Sequence, residues 1–244
     1  MEDKIKLVKT FNPVMGCDIG CSYCYARKIN QRFKHIPDFN VPTLMEQRLP
    51  QLYKGKPRVM LITSMSDFSS WCKNSWCDEI FKALKDNPQH EYILLTKRPE
   101  FCHYSTNLDN VWLGVTVTTA KEAKRITEFK KNVKAKHYHI TFEPLFEDVG
   151  ELDLENVDWV VIGAETGNRK GKIIPKKEWV INIVNQAKAK NIPITMKTSL
   201  IDIVGIENFI QEMPKEFEKI WENHKSPSKM LGLFYISKSL SLFL

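Results

Sequence analysis

The chain has little of what marks a membrane, secreted or low-complexity protein. No apolar run reaches the roughly 18 residues that a bilayer-spanning helix needs, so no membrane partner is expected. The amino terminus, MEDKIKLVKTF, lacks the apolar core of a signal peptide, and a cytoplasmic location is expected. Ten glycines and twelve prolines among 244 residues are too few for a collagen-like or low-complexity chain. No Gly/Ser/Pro-rich linker divides the sequence. Acidic residues are outnumbered: 36 Lys and Arg against 29 Asp and Glu leave a formal charge of +7. That excess fits nucleic acid or an anionic cofactor as a partner, and equally a merely lysine-rich surface. One local concentration, Arg169, Lys170, Lys172, Lys176 and Lys177, reads either as a solvated face or as an anion-binding rim.

What is present is ordinary globular material. Hydrophobic residues make up 43% and charged residues 27%, enough apolar surface for a sizeable core. The length suits one α/β barrel as well as two small domains. Strand-like apolar runs fall at Lys6–Lys9, Val59–Thr63, Tyr92–Thr96, Val111–Val117, His137–Phe142, Trp159–Ile162 and Ile192–Met196. Between them the apolar spacing is helical: Ser75–Leu84, Lys176–Lys190, and Ile206–Trp221 with Phe209, Ile210, Met213, Phe217, Ile220 and Trp221 on one stripe. Alternating strand and helix predict an α/β fold, a parallel sheet forming a partial (β/α) barrel of six or seven strands. Residues 1–224 form that unit. Residues 225–244 read as a separate tail: HKSPSK breaks the last helix, and MLGLFYISKSLSLFL is apolar but about half a membrane span.

The six cysteines decide more than composition does. Cys17, Cys21 and Cys24 fall within eight residues of one another, spaced C-x-x-x-C-x-x-C, just after the first strand. An isolated C-x-x-C is shared by zinc knuckles, redox dithiols and iron–sulfur sites. A structural zinc ion wants four protein ligands, and Cys72, Cys77, Cys102 and His35 lack a convincing spacing for the fourth. A cubane cluster differs, because it can bind three thiolates and leave one iron open.

The segments FNPVMGC, CSYCYA, ITSMSDFS, LLTKRPE, NVWLGVTV, FEPLF, WVVIGAETG and IPITMK extend the pattern from about residue 11 to residue 197. Together with the triplet they resemble the radical S-adenosylmethionine superfamily, in a phage-associated branch of undefined function. The resemblance implies that Cys17, Cys21 and Cys24 hold a 4Fe-4S cluster whose open iron chelates S-adenosylmethionine. One electron, from a reductant such as flavodoxin or ferredoxin, then cleaves the sulfonium and yields a 5′-deoxyadenosyl radical for hydrogen abstraction. Tyr23, the aromatic residue before the third cysteine, would lie beside the adenine. Two departures put substrate specificity outside the resemblance: many relatives have a longer gap between the first two cysteines than the three residues here, and beyond TSLIDIVG, which follows Met196 and Lys197, the tail is unlike theirs.

In a barrel of parallel strands the active site sits at the carboxyl ends of the strands. Ser64, Ser66 and Asp67 follow the second strand and look like the motif that holds the methionine amino group, with Asp67 the acceptor; a turn or helix N-cap is the plain alternative. Lys97 and Arg98 follow the third strand and would meet the methionine carboxylate or an anionic substrate, or form only a basic surface turn. Thr116 and Thr118 are candidate ribose contacts, or simply β-branched strand residues. Glu143 and Glu165 end adjacent strands; buried carboxylates need partners, for which Lys97 and Lys197 are placed, or the two glutamates contact hydroxyls of the ribose or the substrate and line the cofactor pocket. GAETG resembles the glycine-containing turn that borders adenine. Cys72, Cys77 and Cys102 are hydrogen-atom donors, metal ligands or small buried hydrophobes.

The leading expectation is a radical S-adenosylmethionine enzyme whose substrate, a nucleic-acid component by preference, is not named by the sequence. The competing expectations are a zinc or iron–sulfur nucleic-acid-binding module and an inactive barrel serving as a partner subunit.

Overall fold

The computed structural model describes residues 7–224. The tail expected at 225–244 lies outside them. Seven strands, all parallel, pair in sequence order: β1 Lys9–Thr10, β2 Val59–Leu61, β3 Glu91–Thr96, β4 Val111–Thr116, β5 His137–Phe142, β6 Trp159–Ile162 and β7 Ile194–Met196. The sheet curls into a half-barrel, so the fold is α/β with a partial (β/α) barrel, as the alternation of strand and helix requires. No helix among the described residues is long and apolar enough to cross a membrane.

The strands are buried on both faces, and their side chains alternate strictly. Helix α1 Tyr25–Phe33 packs separately on Met15, Ile36, Phe39 and Met65, while Tyr92 and Leu94, Leu113 and Val115, Ile140 and Phe142, and Val160 and Ile162 pack outward under the helices α2 Phe68–Lys73, α3 Cys77–Lys85, α4 Arg125–Asn132 and α5 Lys177–Lys188. The opposite parity faces the lumen. At its lower end Val59, Ile93, Trp112, Trp159 and Val161 form a second apolar cluster, into which Met213 and Phe217 insert. Phe217 comes from α7 Lys215–His224, which follows the short α6 Ile201–Val204. Its ring meets Trp112 and Trp159 at 4.8 and 5.3 Å, so α7 stops the amino end of the half-barrel.

The single helix expected over Ile206–Trp221 is not one helix. Ile206–Asn208 is a 3-10 turn, residues 209–214 are extended, and α7 starts only at Lys215. The reason is the open edge of β7. Met196 N–H donates to the Ile210 carbonyl and Glu212 N–H to the Ile194 carbonyl, each at 2.8 Å, so the chain is captured along the sheet edge. Pro214 then disfavours helical geometry at Met213 and suits the start of α7.

Gly114 on β4 shows how tightly the lumen is filled: a Cβ there would overlap the His139 ring on β5. Gly114→Ala is therefore expected to cost about 1–3 kcal/mol of stability through overpacking. Chemical denaturation checks this, and an unchanged midpoint would contradict the close approach.

Candidate active site

Moving up the lumen, the inward positions turn from apolar to polar: Thr63, Lys97, Thr116, Thr141, Glu143 and Lys197. The cysteine loop lies across this end. Gly16, at a φ of 100°, has its Cα side pressed against the Val41 carbonyl, an approach that only glycine permits. Its N–H donates to the Met65 carbonyl at 2.9 Å, and Cys17 N–H donates to the Phe39 carbonyl at 2.7 Å. Arg27 on α1 donates to the Cys17 carbonyl and to Asn40 Oδ1, while Arg98 after β3 pairs with Asp18 at 2.9 Å. Cys24 is the N-cap of α1, its sulfur accepting from Arg27 N–H at 3.4 Å. The loop is thus bolted to the ends of β2 and β3.

All three cysteines line one small cavity of about 160 Å³, together with Ser64, Ser66, Asp67, Lys97, Thr116 and Glu143 among others. Burial, followed by the Asp67 charge and the neighbouring thiols, pushes the Cys17 thiol up to about 12. Among the described residues no three His, Cys, Asp or Glu side chains converge to hold a single metal ion. A second cavity of about 490 Å³ continues down the lumen, walled by Tyr23, His139, Trp159, Glu165 and Lys197. The two share Tyr25, Leu61, Leu95, Thr141 and Glu143 as common wall.

Asp67 lies at the edge of the first cavity with its carboxylate already engaged. Oδ1 accepts from Ser69 N–H (3.0 Å), Ser69 Oγ (2.7 Å) and Thr96 Oγ1 (2.6 Å), and Oδ2 from Lys97 N–H at 2.9 Å. It is the N-cap of α2 and a clamp between the ends of β2 and β3, so the helix-cap alternative describes its contacts. Ser64 Oγ donates to Asn12 Oδ1 at 3.0 Å, which also receives Met65 N–H, and Tyr25 O–H donates to the Ser64 carbonyl at 2.9 Å. Ser66 Oγ accepts from the Trp71 indole at 3.0 Å. Tyr23 meets Phe146 edge-on at 5.2 Å, with the Lys97 ammonium 6.0 Å from its ring.

Glu143 pairs with Lys197 at 2.5 Å, as their strand-end positions predict. Glu165 takes a different partner: Arg169, four residues further along the chain, grips both its oxygens at 2.6 and 2.7 Å. The Arg169 guanidinium holds that carboxyl below its usual range. Lys97 pairs with neither glutamate. The two threonines separate as well. The Thr118 hydroxyl and N–H are both taken by Glu122 at 2.8 Å, outside both cavities, because β4 ends at Thr116 and the alternation stops there. Thr116 Oγ1 lines the cysteine cavity, buried and with no hydrogen-bond partner.

Cys72, Cys77 and Cys102 do not join the site. Cys72 and Cys77 touch at 3.6 Å, and Cys102 donates to Thr96 Oγ1 at 3.6 Å, all on the helix side of the sheet. Asn12, Tyr25, Arg27 and His139 are site residues that sequence motifs did not expose. The period-2 alternation of β5 was the one signal that could have found His139.

His139 is fully buried, its Nε2 hydrogen bonded to the Leu94 carbonyl at 3.1 Å and its Nδ1 unpartnered. Burial pushes its pKa down to about 4, so the ring is neutral. Burial also pushes Glu91, which accepts from the Trp112 indole, up to about 7. Between pH 4.5 and 6.5 these groups oppose each other. The unfolded chain binds the histidine proton more readily, so that contribution rises with pH; the native chain keeps the Glu91 proton, so that one falls. Glu91→Gln is expected to lose stability on acidification from pH 6.5 to 4.5, at up to about 1.4 kcal/mol per pH unit. His139→Gln should shift the slope the other way, and denaturant titrations giving both variants one slope would refute the assignment.

A family model described as "Protein of unknown function (DUF5131)" matches residues 3–200, most of the chain, so the chain belongs to that family. No curated protein and no solved structure matches it.

Proposed function

We propose that this family member is a radical S-adenosylmethionine enzyme in which Cys17, Cys21 and Cys24 hold a 4Fe-4S cluster. The observation that carries the reading is the placement of three thiols, spaced three and two residues apart, around one cavity at the strand ends. That cavity shares a wall with one of about 490 Å³, within the ordinary range for small-molecule sites. The donor set fits the group: each thiolate of a cubane binds its own iron, so the three need not converge on one point as zinc ligands must. When bound, the cluster supplies the single electron that cleaves the sulfonium of S-adenosylmethionine.

The chain's own residues position and insulate. Asp67 fixes the ends of β2 and β3 against each other, and with them Ser64, Ser66 and Lys97 beside the thiols. Lys97 offers a cation to a carboxylate in the smaller cavity, and the unpartnered Thr116 hydroxyl offers a further hydrogen bond. Glu143, balanced by Lys197, stands in the common wall, where it accepts from a hydroxyl or ammonium on either side. Tyr23 contributes an aromatic wall to the larger cavity. The apolar lower lumen, stopped by Phe217, keeps water from the reacting end.

The test is anaerobic purification, reconstitution with iron and sulfide, and addition of dithionite with S-adenosylmethionine. Release of 5′-deoxyadenosine is expected. A chain that holds only zinc, or holds a cluster without cleaving the cofactor, would overturn the reading in favour of a binding module or an inactive partner barrel.

A further inference from the structure

The positive charge of this protein is not spread evenly. Between residues 24 and 35 there are four Lys or Arg and no acid; between 165 and 177 there are five against Glu165 alone. These two segments carry a net eight positive charges, one more than the whole chain's +7, so everything else together is slightly acidic. A third basic stretch, 121–136, is only partly matched: Lys130 pairs with Asp153, Arg125 with Glu122 and Lys136 with Asp109, while Lys121, Lys124, Lys131 and Lys134 are exposed and make no ion pair among the described residues. That stretch supplies no residue to the wall of the larger cavity. On the first two segments most cations stay unmatched, Arg169 excepted, which pairs with Glu165. Lys28, Arg32 and Lys34 on one, and Lys170, Lys172, Lys176 and Lys177 on the other, are exposed and make no ion pair among the described residues.

Both segments start from the wall of the larger cavity. Tyr25, the first residue of α1, lines it, and so do Glu165 and Thr166 at the head of the other segment. The carboxylates between them are already balanced, Glu143 by Lys197 and Glu165 by Arg169. Each segment also exposes flat or apolar surface: Phe33, 58% exposed, stacked on His35 with Arg32 over its ring, and Ile174, 67% exposed. Unmatched cations interleaved with exposed aromatic and apolar side chains suit a single nucleic-acid strand, in which charge tracks the phosphates and flat or apolar surface meets the bases.

We infer that these two segments are lips that hold a single-stranded nucleic acid across the mouth, delivering one unstacked base into the cavity. The inference rests on the reading of that cavity as the active site. A base inside a duplex cannot reach residues at the strand ends, whereas an extruded or single-stranded one can.

The test is fluorescence anisotropy of the full-length protein with a labelled DNA or RNA strand of about 20 nucleotides across a salt series. Seven unmatched cations predict a slope of log affinity against log salt of roughly −4 to −5. The triple variants Lys28→Gln/Arg32→Gln/Lys34→Gln and Lys170→Gln/Lys172→Gln/Lys176→Gln should each weaken binding about tenfold or more and reduce the slope by about 2. The triple Lys54→Gln/Lys56→Gln/Lys85→Gln, which removes equal charge at the opposite end of the strands, should leave binding unchanged. Equal loss in all three triples, no binding by wild type, or equal competition by polyglutamate would overturn the inference. Cofactor cleavage without strand binding would sink it while leaving the radical reading intact. Strand binding that depends on the lips, without cofactor cleavage, would do the reverse.

Discussion

Replacing Cys21 with alanine is expected to leave a colourless protein that releases no 5′-deoxyadenosine above a protein-free control. The effect should be all or none, because a cubane bound by three thiolates has no spare protein ligand. Among the described residues no other cysteine stands in that cavity to substitute. Cys72→Ala provides the contrast. Its thiol packs against Cys77 on the helix side of the sheet, so reconstitution and cleavage should survive, with any cost confined to stability. Iron content, visible absorption and product release, measured on both variants, separate the outcomes. Full cleavage by Cys21→Ala would remove the basis of the proposed chemistry. Loss in Cys72→Ala equal to that in Cys21→Ala would mean that the two thiol groups had been given the wrong roles.

Asp67→Ala carries the second large effect, and here the expected readout is stability first. The carboxylate is 5% exposed and accepts four hydrogen bonds, from two N–H groups and two hydroxyls on α2 and the end of β3. Alanine strips the α2 cap and leaves buried donors on Thr96 and Lys97 without partners. A cap alone is worth about 1 kcal/mol, and bonds to a charged acceptor about 1.5–3 each, without full additivity. The loss should therefore reach about 3 kcal/mol or more in denaturant unfolding. Asp67→Asn retains one acceptor oxygen but turns an amide donor toward the other donors, so it should fall between wild type and alanine. A loss under about 1 kcal/mol for Asp67→Ala would show that the clamp is not structural. Cleavage measured on the folded fraction of Asp67→Asn then reports how far Ser64 and Lys97 depend on the clamp for their positions.

Much of this architecture was legible before any coordinates. The apolar runs located six of the seven strands, with His137–Phe142 and Trp159–Ile162 matching to the residue; of the run Lys6–Lys9, Lys6 lies outside the described residues and only Lys9 falls in β1. Runs that short and that apolar have few ways to be buried, and alternation with helices leaves a parallel sheet as the natural one. The cysteine spacing and the strand-end positions of Lys97, Glu143 and Lys197 were equally plain, since an inward residue recurs every second position along a strand. The errors share one origin. Ile206–Trp221 has a helical stripe, but the unpaired edge of β7 captured its first half, and no local pattern encodes a distant edge. Glu165 found Arg169 because the turn folds back, not because a neighbouring strand supplied a lysine. Asp67 lies beside the thiols as expected, but Thr96 and Lys97, about thirty residues away, fill its carboxylate.

The sequence by itself determined the class of fold, the order of strands, the triplet of thiols and the excess of positive charge. Each of these is written in spacing or composition, within the reach of a few residues. Only the tertiary structure decided which polar groups are already satisfied and which are left open. It closed the Thr118 hydroxyl and opened that of Thr116, placed the second group of cysteines behind the sheet, and paired Arg169 with Glu165 while leaving seven other cations around the mouth without ion pairs among the described residues. A hydrogen bond or ion pair depends on two groups meeting at about 3 Å, and that distance is fixed by packing across the whole chain.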